Sequence, residues 1–357
     1  MNAQEASVFT HGLNKYRRQE MLRQKSILGV VNGSLGIGLA LGLMSQPTSA
    51  EEAYPNRTIT LIAPFSAGGD ADYAARAFAA AATRALGQAV VVVNKTGASG
   101  VIGSTQVVSA KPDGYTLLLA RTGSQAIMPA IMPTSTKYKW NDFTFIGTLE
   151  LNPYGCVVSS NSPYKTFADL TEAMKKQGKN LNYGTAGVLT TNDMGPRQLF
   201  RLLQLTDQVP TQIPYKGTGE AVSSLLAGQT QFSCGSLGSF IAHVKAGSLR
   251  ALMVTTAERL KEFPDVPTAK ELGFTEMEPI VGWSAVYGPP NLPANVRARL
   301  VTAMKAIAED VNWRSMTQQT GSLPNVTSPE ATREFVQKQY ELYRSLGESL
   351  NIIDANS

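Results

Sequence analysis

The sequence is poor in the residues that most enzymes use. It has two histidines and two cysteines in 357 residues. His11 lies in the amino-terminal stretch, so the body of the chain keeps only His243, within Phe240-Ile241-Ala242-His243-Val244. A lone histidine excludes a histidine-rich zinc centre and leaves little room for Ser-His-Asp chemistry. It reads as a surface or partly packed helix position. No Gly-x-Ser-x-Gly elbow, phosphate-binding loop or dinucleotide fingerprint occurs after residue 50. The expectation is a protein that is not an enzyme, with no catalytic residue, metal site or cofactor. Cys156 and Cys234 fall in apolar strands, and two buried thiols are expected, with pairing left open. Internal repeats and low-complexity linkers are also missing.

Basic charge is scarcer than the total suggests. The formal net charge is +5, but Lys15, Arg17, Arg18, Arg23 and Lys25 all precede residue 51, against Glu5 and Glu20. Removing those five basic and two acidic side chains leaves +2, which argues against a nucleic-acid partner. Behind the basic front, Ile27 to Met44 is uncharged and apolar, and Thr48-Ser49-Ala50 offers small residues before Glu51. That order describes a cleaved secretory signal over residues 1–50, with Met21 as an alternative start. A retained membrane anchor is the rival reading, weakened by the glycines, Asn32 and Ser34. Arg17-Arg18 hints at twin-arginine export, although Glu20 sits where an apolar residue belongs. No cysteine lies near the cleavage point to carry a lipid.

What the chain does contain is a repeating strand-helix alternation from Tyr54 onward, the pattern of an α/β fold with mainly parallel sheets. The stretch Pro64-Phe65-Ser66-Ala67-Gly68-Gly69-Asp70-Ala71-Asp72 follows a strand, Thr58 to Ala63, and precedes an Ala-rich helix, Asp72 to Leu86. Paired glycines at a helix start direct backbone N–H groups into one concavity suited to a carboxylate. A tight turn that needs glycine only for its backbone angles is the other reading. A second turn of this kind, Gly184-Thr185-Ala186-Gly187, precedes a helix from about Asn192. Arg121 and Ser124 lie where the strand Thr116 to Ala120 ends, the edge at which α/β sheets gather ligands. The β-rich run Phe143 to Val158, broken at Asn152-Pro153, and the strand Val281 to Tyr287 read as two crossings between domains. A hinge near residues 150–155 and 278–283 is therefore expected.

These segments resemble the Bug family, the extracytoplasmic solute-binding proteins of tripartite tricarboxylate transporters. The resemblance is carried by Tyr54-Pro55-Asn56-Arg57, Pro64-Phe65-x-x-Gly68-Gly69-x-x-Asp72 with Arg76, and Pro112-Asp113-Gly114-Tyr115. It continues through Pro214-Tyr215-Lys216-Gly217, Leu226-Ala227-Gly228-Gln229, Pro264-Asp265-Val266-Pro267-Thr268 and Gly282-Trp283. It spans residues 54–350. It implies a two-domain periplasmic-binding-protein fold, a Venus flytrap with a cleft between its domains. The domains would be 51–151, 152–280 and 281–357, the last returning to the first. The implied function is a monomeric periplasmic receptor that holds a small organic carboxylate and delivers it to membrane transporter subunits or a sensor. The carboxylate would be a di- or tricarboxylate or an aromatic acid such as terephthalate. The alternative is a periplasmic enzyme acting on a carboxylate in the same cleft. The implied ligand contacts are Phe65, Ser66, Ala67, Gly68, Gly69, Asp70, Arg121, Ser124, Tyr154, Gly184, Thr185, Ala186, Gly187 and Ser236. Trp283 is a further candidate for an aromatic solute. Two positions depart from the family pattern. Gln231 stands where an acidic residue is common, and Gly235 stands where an aspartate is common.

Overall fold

The computed structural model describes residues 53–206 and 208–354. The leader and the cleavage point expected over residues 1–50 lie outside them. Two sheets organise the chain. The first half begins with β1 (Ile59–Ala63), α1 (Asp70–Leu86), β2 (Val90–Asn94), α2 (Val101–Val108) and β3 (Thr116–Arg121), then a short helical turn at Met128–Ile131. Next come β4 (Thr144–Asn152), β5 (Tyr154–Ser159), α3 (Phe167–Gln177), β6 (Asn182–Thr185), α4 (Thr191–Leu202) and β7 (Thr211–Pro214). They are followed by α5 (Thr218–Leu226), β8 (Phe232–Ser236), a helical turn at Ile241–Lys245, and β9 (Leu249–Val254). The chain ends with β10 (Gly282–Gly288), α6 (Ala294–Glu309), α7 (Val311–Gln319), β11 (Leu323–Pro324) and α8 (Pro329–Ser349).

The sheet orders are β11-β4-β10-β3-β1-β2 and β7-β6-β8-β5-β9. Each is parallel only in the part built from strand-helix units, β3-β1-β2 in one and β7-β6-β8 in the other. The strands that pass between sheets, β4, β5 and β10, pair antiparallel with their neighbours. The sheets are thus mixed rather than mainly parallel. A strand that crosses and returns arrives from the opposite direction and needs no helical crossover. β4 passes into β5 through Pro153 alone, and Gly282 at the start of β10 pairs with Asn152 at the end of β4. The two crossings are side by side at the level of the cleft.

Local sequence explains the boundaries. In β1, Ile59, Leu61 and Ala63 pack with α1 and α6, while Ile62 packs on the opposite face with Leu118 and Val101. That division is the period-two alternation of a sheet covered on both sides. The alanines of α1 let the helix lie close to the sheet, and Gly87 ends it in the left-handed region at φ 73°. Thr166 and Asp169 form a reciprocal capping box for α3, and the Ser328 hydroxyl accepts from Ala331 N–H to cap α8. One core runs on from the first sheet into the second through Trp283, Tyr154 and α8.

Cys156 and Cys234 form a disulfide, which corrects the expectation of two thiols. They face each other directly in the β5–β8 ladder, with Cα atoms 4.0 Å apart. Strand register decides the matter, because residues 78 apart in sequence become cross-strand neighbours.

Candidate functional site

Three helices begin at one cavity between the sheets. Its walls include Gly69, Asp70 and Ala71 at the start of α1, Thr190, Thr191 and Asn192 at the start of α4, and Gly217 and Thr218 at the start of α5. The first N–H groups of a helix have no intrahelical acceptor. Here the residues at the N-cap positions, Gly69, Thr190 and Gly217, give no side-chain cap. Thr190 turns its hydroxyl back to the Gly187 carbonyl at 3.0 Å.

Each helix instead carries an acid at its third position that reaches backward. Asp72 accepts from Gly68 N–H at 3.0 Å, Asp193 from Leu189 N–H at 2.8 Å, and Glu220 from Lys216 N–H at 3.2 Å. These carboxylates fix the preceding loops without entering the cavity. In α1 and α4 an arginine four residues on completes the clamp, Arg76 Nε on Asp72 at 2.9 Å and Arg197 Nε on Asp193 at 2.7 Å. Burial pushes the Asp72 carboxyl up, but the hydrogen bonds from Arg76, Gly68 N–H and Asn94 outweigh it and hold the group below its ordinary value. Asn94 also donates to the Phe65 carbonyl at 3.0 Å, so Asp72 and Asn94 together shape the Phe65–Gly69 turn. The result is three positive helix ends directed at one small volume, an arrangement suited to an anion.

Arg121 adds the cavity's positive side chain. Its Nη1 donates to Ser284 Oγ at 2.5 Å and lies 3.6 Å from Glu150 Oε1. Ser284 and Asn152 both donate to that carboxylate, at 2.8 and 3.0 Å. Glu150 is buried behind the cavity, and desolvation pushes its carboxyl up against the opposing pull of Arg121. Asp70 and Arg121 are the charged residues on the walls among the described residues. The cavity leaves about 60 Å³ for the centres of water-sized groups. At about 10–15 Å³ per water this is space for a compact solute of a few carbons with polar ends.

Hydrogen bonds across the cleft hold the two sides together. Ser239 Oγ donates to Asp70 Oδ1 at 2.5 Å, Ser99 Oγ to the Val188 carbonyl at 2.5 Å, and Ser66 Oγ to the Lys216 carbonyl at 3.4 Å. The missing Cβ at Gly217 leaves the Ser66 hydroxyl its place, since a Cβ there would stand 2.6 Å from Ser66 Oγ and turn that hydroxyl aside.

The structure brings together Phe65, Ser66, Gly69, Asp70, Arg121, Ala186 and Ser236 from the residues expected on sequence grounds. The others stand apart from the walls. Ala67 and Gly68 sit on the exposed rim of their turn, and the Gly68 N–H is already taken by Asp72. Thr185 is fully buried and its hydroxyl accepts from Gln212 at 3.0 Å. Gly184 underlies Ala221 and Thr230, while Gly187 serves the Thr190 hydroxyl. Ser124 is buried and donates to the Arg121 carbonyl at 3.3 Å. The Tyr154 ring is fully buried with its hydroxyl against Gly195, and Trp283 packs on Phe335, so neither ring faces a solute. Helix α1 starts two residues earlier than expected, which puts Asp70 and Ala71 on the wall.

Sequence reasoning missed Thr190, Thr191, Asn192, Gly217 and Thr218. A signal for the first three was present, because Asp193-x-x-x-Arg197 repeats the spacing of Asp72-x-x-x-Arg76.

Comparison with known proteins agrees with this architecture. Residues 74–352 match the model of the tripartite tricarboxylate transporter family receptor. Protein BugT of Bordetella pertussis is 32% identical over 310 residues, covering 85% of this chain and 91% of that one. Among solved structures, the periplasmic binding protein BugD superposes with a TM-score of 0.78 at 30% identity, over 84% of this chain and 99% of that one. MatC from Rhodopseudomonas palustris, solved with bound malate, gives 0.76 at 27% identity, over 82% and 100%. The fold is the two-domain fold of periplasmic binding proteins, and the chain belongs to the tripartite tricarboxylate transporter receptor family.

Proposed function

We propose that this protein is a periplasmic receptor that binds a small organic dicarboxylate between its two lobes and presents it to membrane subunits of a tripartite transporter. The convergence of three uncapped helix starts with Arg121 on one cavity carries this reading. Such a site stabilises negative charge through fixed backbone dipoles, without proton transfer. Malate in the related MatC supports an aliphatic diacid, as does the small cavity. An aromatic acid fits less well, because Trp283 and Tyr154 are packed away. An enzyme is disfavoured, because Asp70 and Arg121 make no acid-base pair for a substrate.

In this reading residues 1–50 direct export and are removed, and the mature protein works as a monomer. The lobes are 51–151 with 281–357, and 152–280, and they close about the paired crossings at Asn152 and Gly282. Phe65, Ser66, Gly69, Asp70, Arg121, Ala186 and Ser236 contact the solute together with Thr190, Thr191, Asn192, Gly217 and Thr218.

A thermal-shift and calorimetry panel of C4–C6 dicarboxylates, citrate and aromatic acids on the mature protein tests the proposal. The expected result is a rise in melting temperature with an aliphatic diacid, and recovery of that diacid unchanged. No binding of any carboxylate at millimolar concentration refutes the receptor reading. Turnover of the bound acid establishes the enzyme instead.

A further inference from the structure

We infer that Ser99 is a latch across the exposed side of the cleft, a positioning residue that sets how long the solute is held without touching it. This rests on the reading of the chain as a two-lobed carboxylate receptor.

Gly97, Ala98, Ser99 and Gly100 all have positive φ, at 125°, 47°, 52° and 93°. Ala98 and Ser99 carry a Cβ, for which a left-handed backbone is costly, so two in a row persist where their surroundings hold them. Gly100 N–H donates to the Gly97 carbonyl at 3.0 Å and closes the turn. A Cβ on Gly100 would stand 2.8 Å from Ser124 Cβ and 3.2 Å from the Phe65 ring, so the turn lies against a wall residue of the cavity. From there Ser99 reaches the other side of the cleft, where its Oγ donates to the Val188 carbonyl at 2.5 Å. The receiving loop is braced as well. Leu189, left-handed at φ 54°, donates its N–H to Asp193 at 2.8 Å, and the Thr190 hydroxyl donates to the Gly187 carbonyl at 3.0 Å. Thr190 is on the cavity wall, whereas Ser99 and Val188 are not.

Two braced loops, one from each lobe and each joined to a wall, thus meet through one hydroxyl. The bond forms when the lobes are closed, so it stabilises the closed state over the open one and acts on escape rather than entry. One such bond changes that ratio by about a factor of five. The other two bonds across the cleft use Ser66 and Asp70, which line the cavity themselves. The Ser99 bond is the one of the three that can be removed without altering a wall.

Stopped-flow kinetics of malate binding to Ser99→Ala test the inference. Alanine keeps a Cβ on the same left-handed backbone, so the hydroxyl alone is removed. The dissociation rate is expected to rise about fivefold while the association rate stays within about twofold. A residue with a merely structural role would lower the melting temperature and leave both rates unchanged. An unchanged dissociation rate, or a loss that falls on association, overturns the inference. Ser99→Gly, which takes the left-handed backbone freely, serves if the alanine variant is unstable. A second measurement needs no solute. Lys175 and Lys305 are exposed on α3 and α6, and both native cysteines are in the disulfide. Spin labels on Lys175→Cys and Lys305→Cys therefore report the distance between the lobes. Where malate does not bind, this distance decides instead. A shift to longer distances in Ser99→Ala supports the latch, and an identical distribution overturns it. The receptor reading fails separately, if no carboxylate binds.

Discussion

Replacing Asp72 by asparagine tests whether the clamp behind the first helix start shapes the site. Asp72 is 5% exposed and accepts from Gly68 N–H, Arg76 Nε and Asn94 Nδ2, all within 3.0 Å. Asparagine with its oxygen at the Oδ2 position keeps the bonds from Gly68 and Arg76 in uncharged, weaker form, while its NH2 group faces the Asn94 NH2 and that bond is lost. One lost bond and a buried donor left facing a donor give an expected loss of stability of about 3 kcal/mol. The ion pair adds little, since Arg76 is half exposed. At roughly 2 °C per kcal/mol, the melting temperature should fall by about 6 °C. The Asp72 pKa lies below its ordinary 3.8 in the folded state. Its contribution is therefore present above pH 3.8 and lost as pH falls from there through the folded value, and Asp72→Asn should flatten that acid limb. The Phe65–Gly69 turn should also loosen, lowering malate affinity about tenfold by calorimetry. Asp310→Ala is the control. It removes the cap of α7 and the Arg84 pair away from the cavity, so stability should drop while affinity stays. Unchanged affinity in Asp72→Asn together with a stability loss below about 0.5 kcal/mol would refute the clamp.

Two further outcomes follow from the buried chemistry. Cys156→Ser should lower stability to urea by about 4.5 kcal/mol in the loop-entropy estimate for 78 residues, and a loss of less than about 1 kcal/mol would count against a structural bridge. Because burial raises the Glu150 pKa above its ordinary 4.5, the folded state holds that proton longer, and stability falls as pH rises from 4.5 through the raised value. Glu150→Gln should abolish that fall and, by freeing Arg121 from its neighbour, tighten malate binding. Weaker binding would show that Glu150 serves to orient Arg121.

The order of elements was legible in the sequence, because each depends on signals within a few residues. Phe167–Gln177 and the cap at Ser328 stand where local chemistry places them, and the two crossings follow from the break at Asn152-Pro153. The glycine turns were legible as helix starts for the same reason. Other features depended on distances between segments far apart in sequence. The antiparallel half of each sheet arises from strands that change sheets, and the disulfide arises from β5–β8 register. The glycine-flanked turn and the family resemblance marked Thr185 as a ligand hydroxyl, but packing gave that hydroxyl to Gln212 and sent Thr190, Thr191 and Asn192 to the wall. Tyr154 and Trp283 looked like candidates for stacking, yet burial of large rings in the shared core outweighed exposure to the cleft. The sequence by itself determined which turns begin helices. Only the tertiary structure decided that three of those helices begin at the same cavity, because that depends on how two sheets are set about paired crossings and not on any local preference.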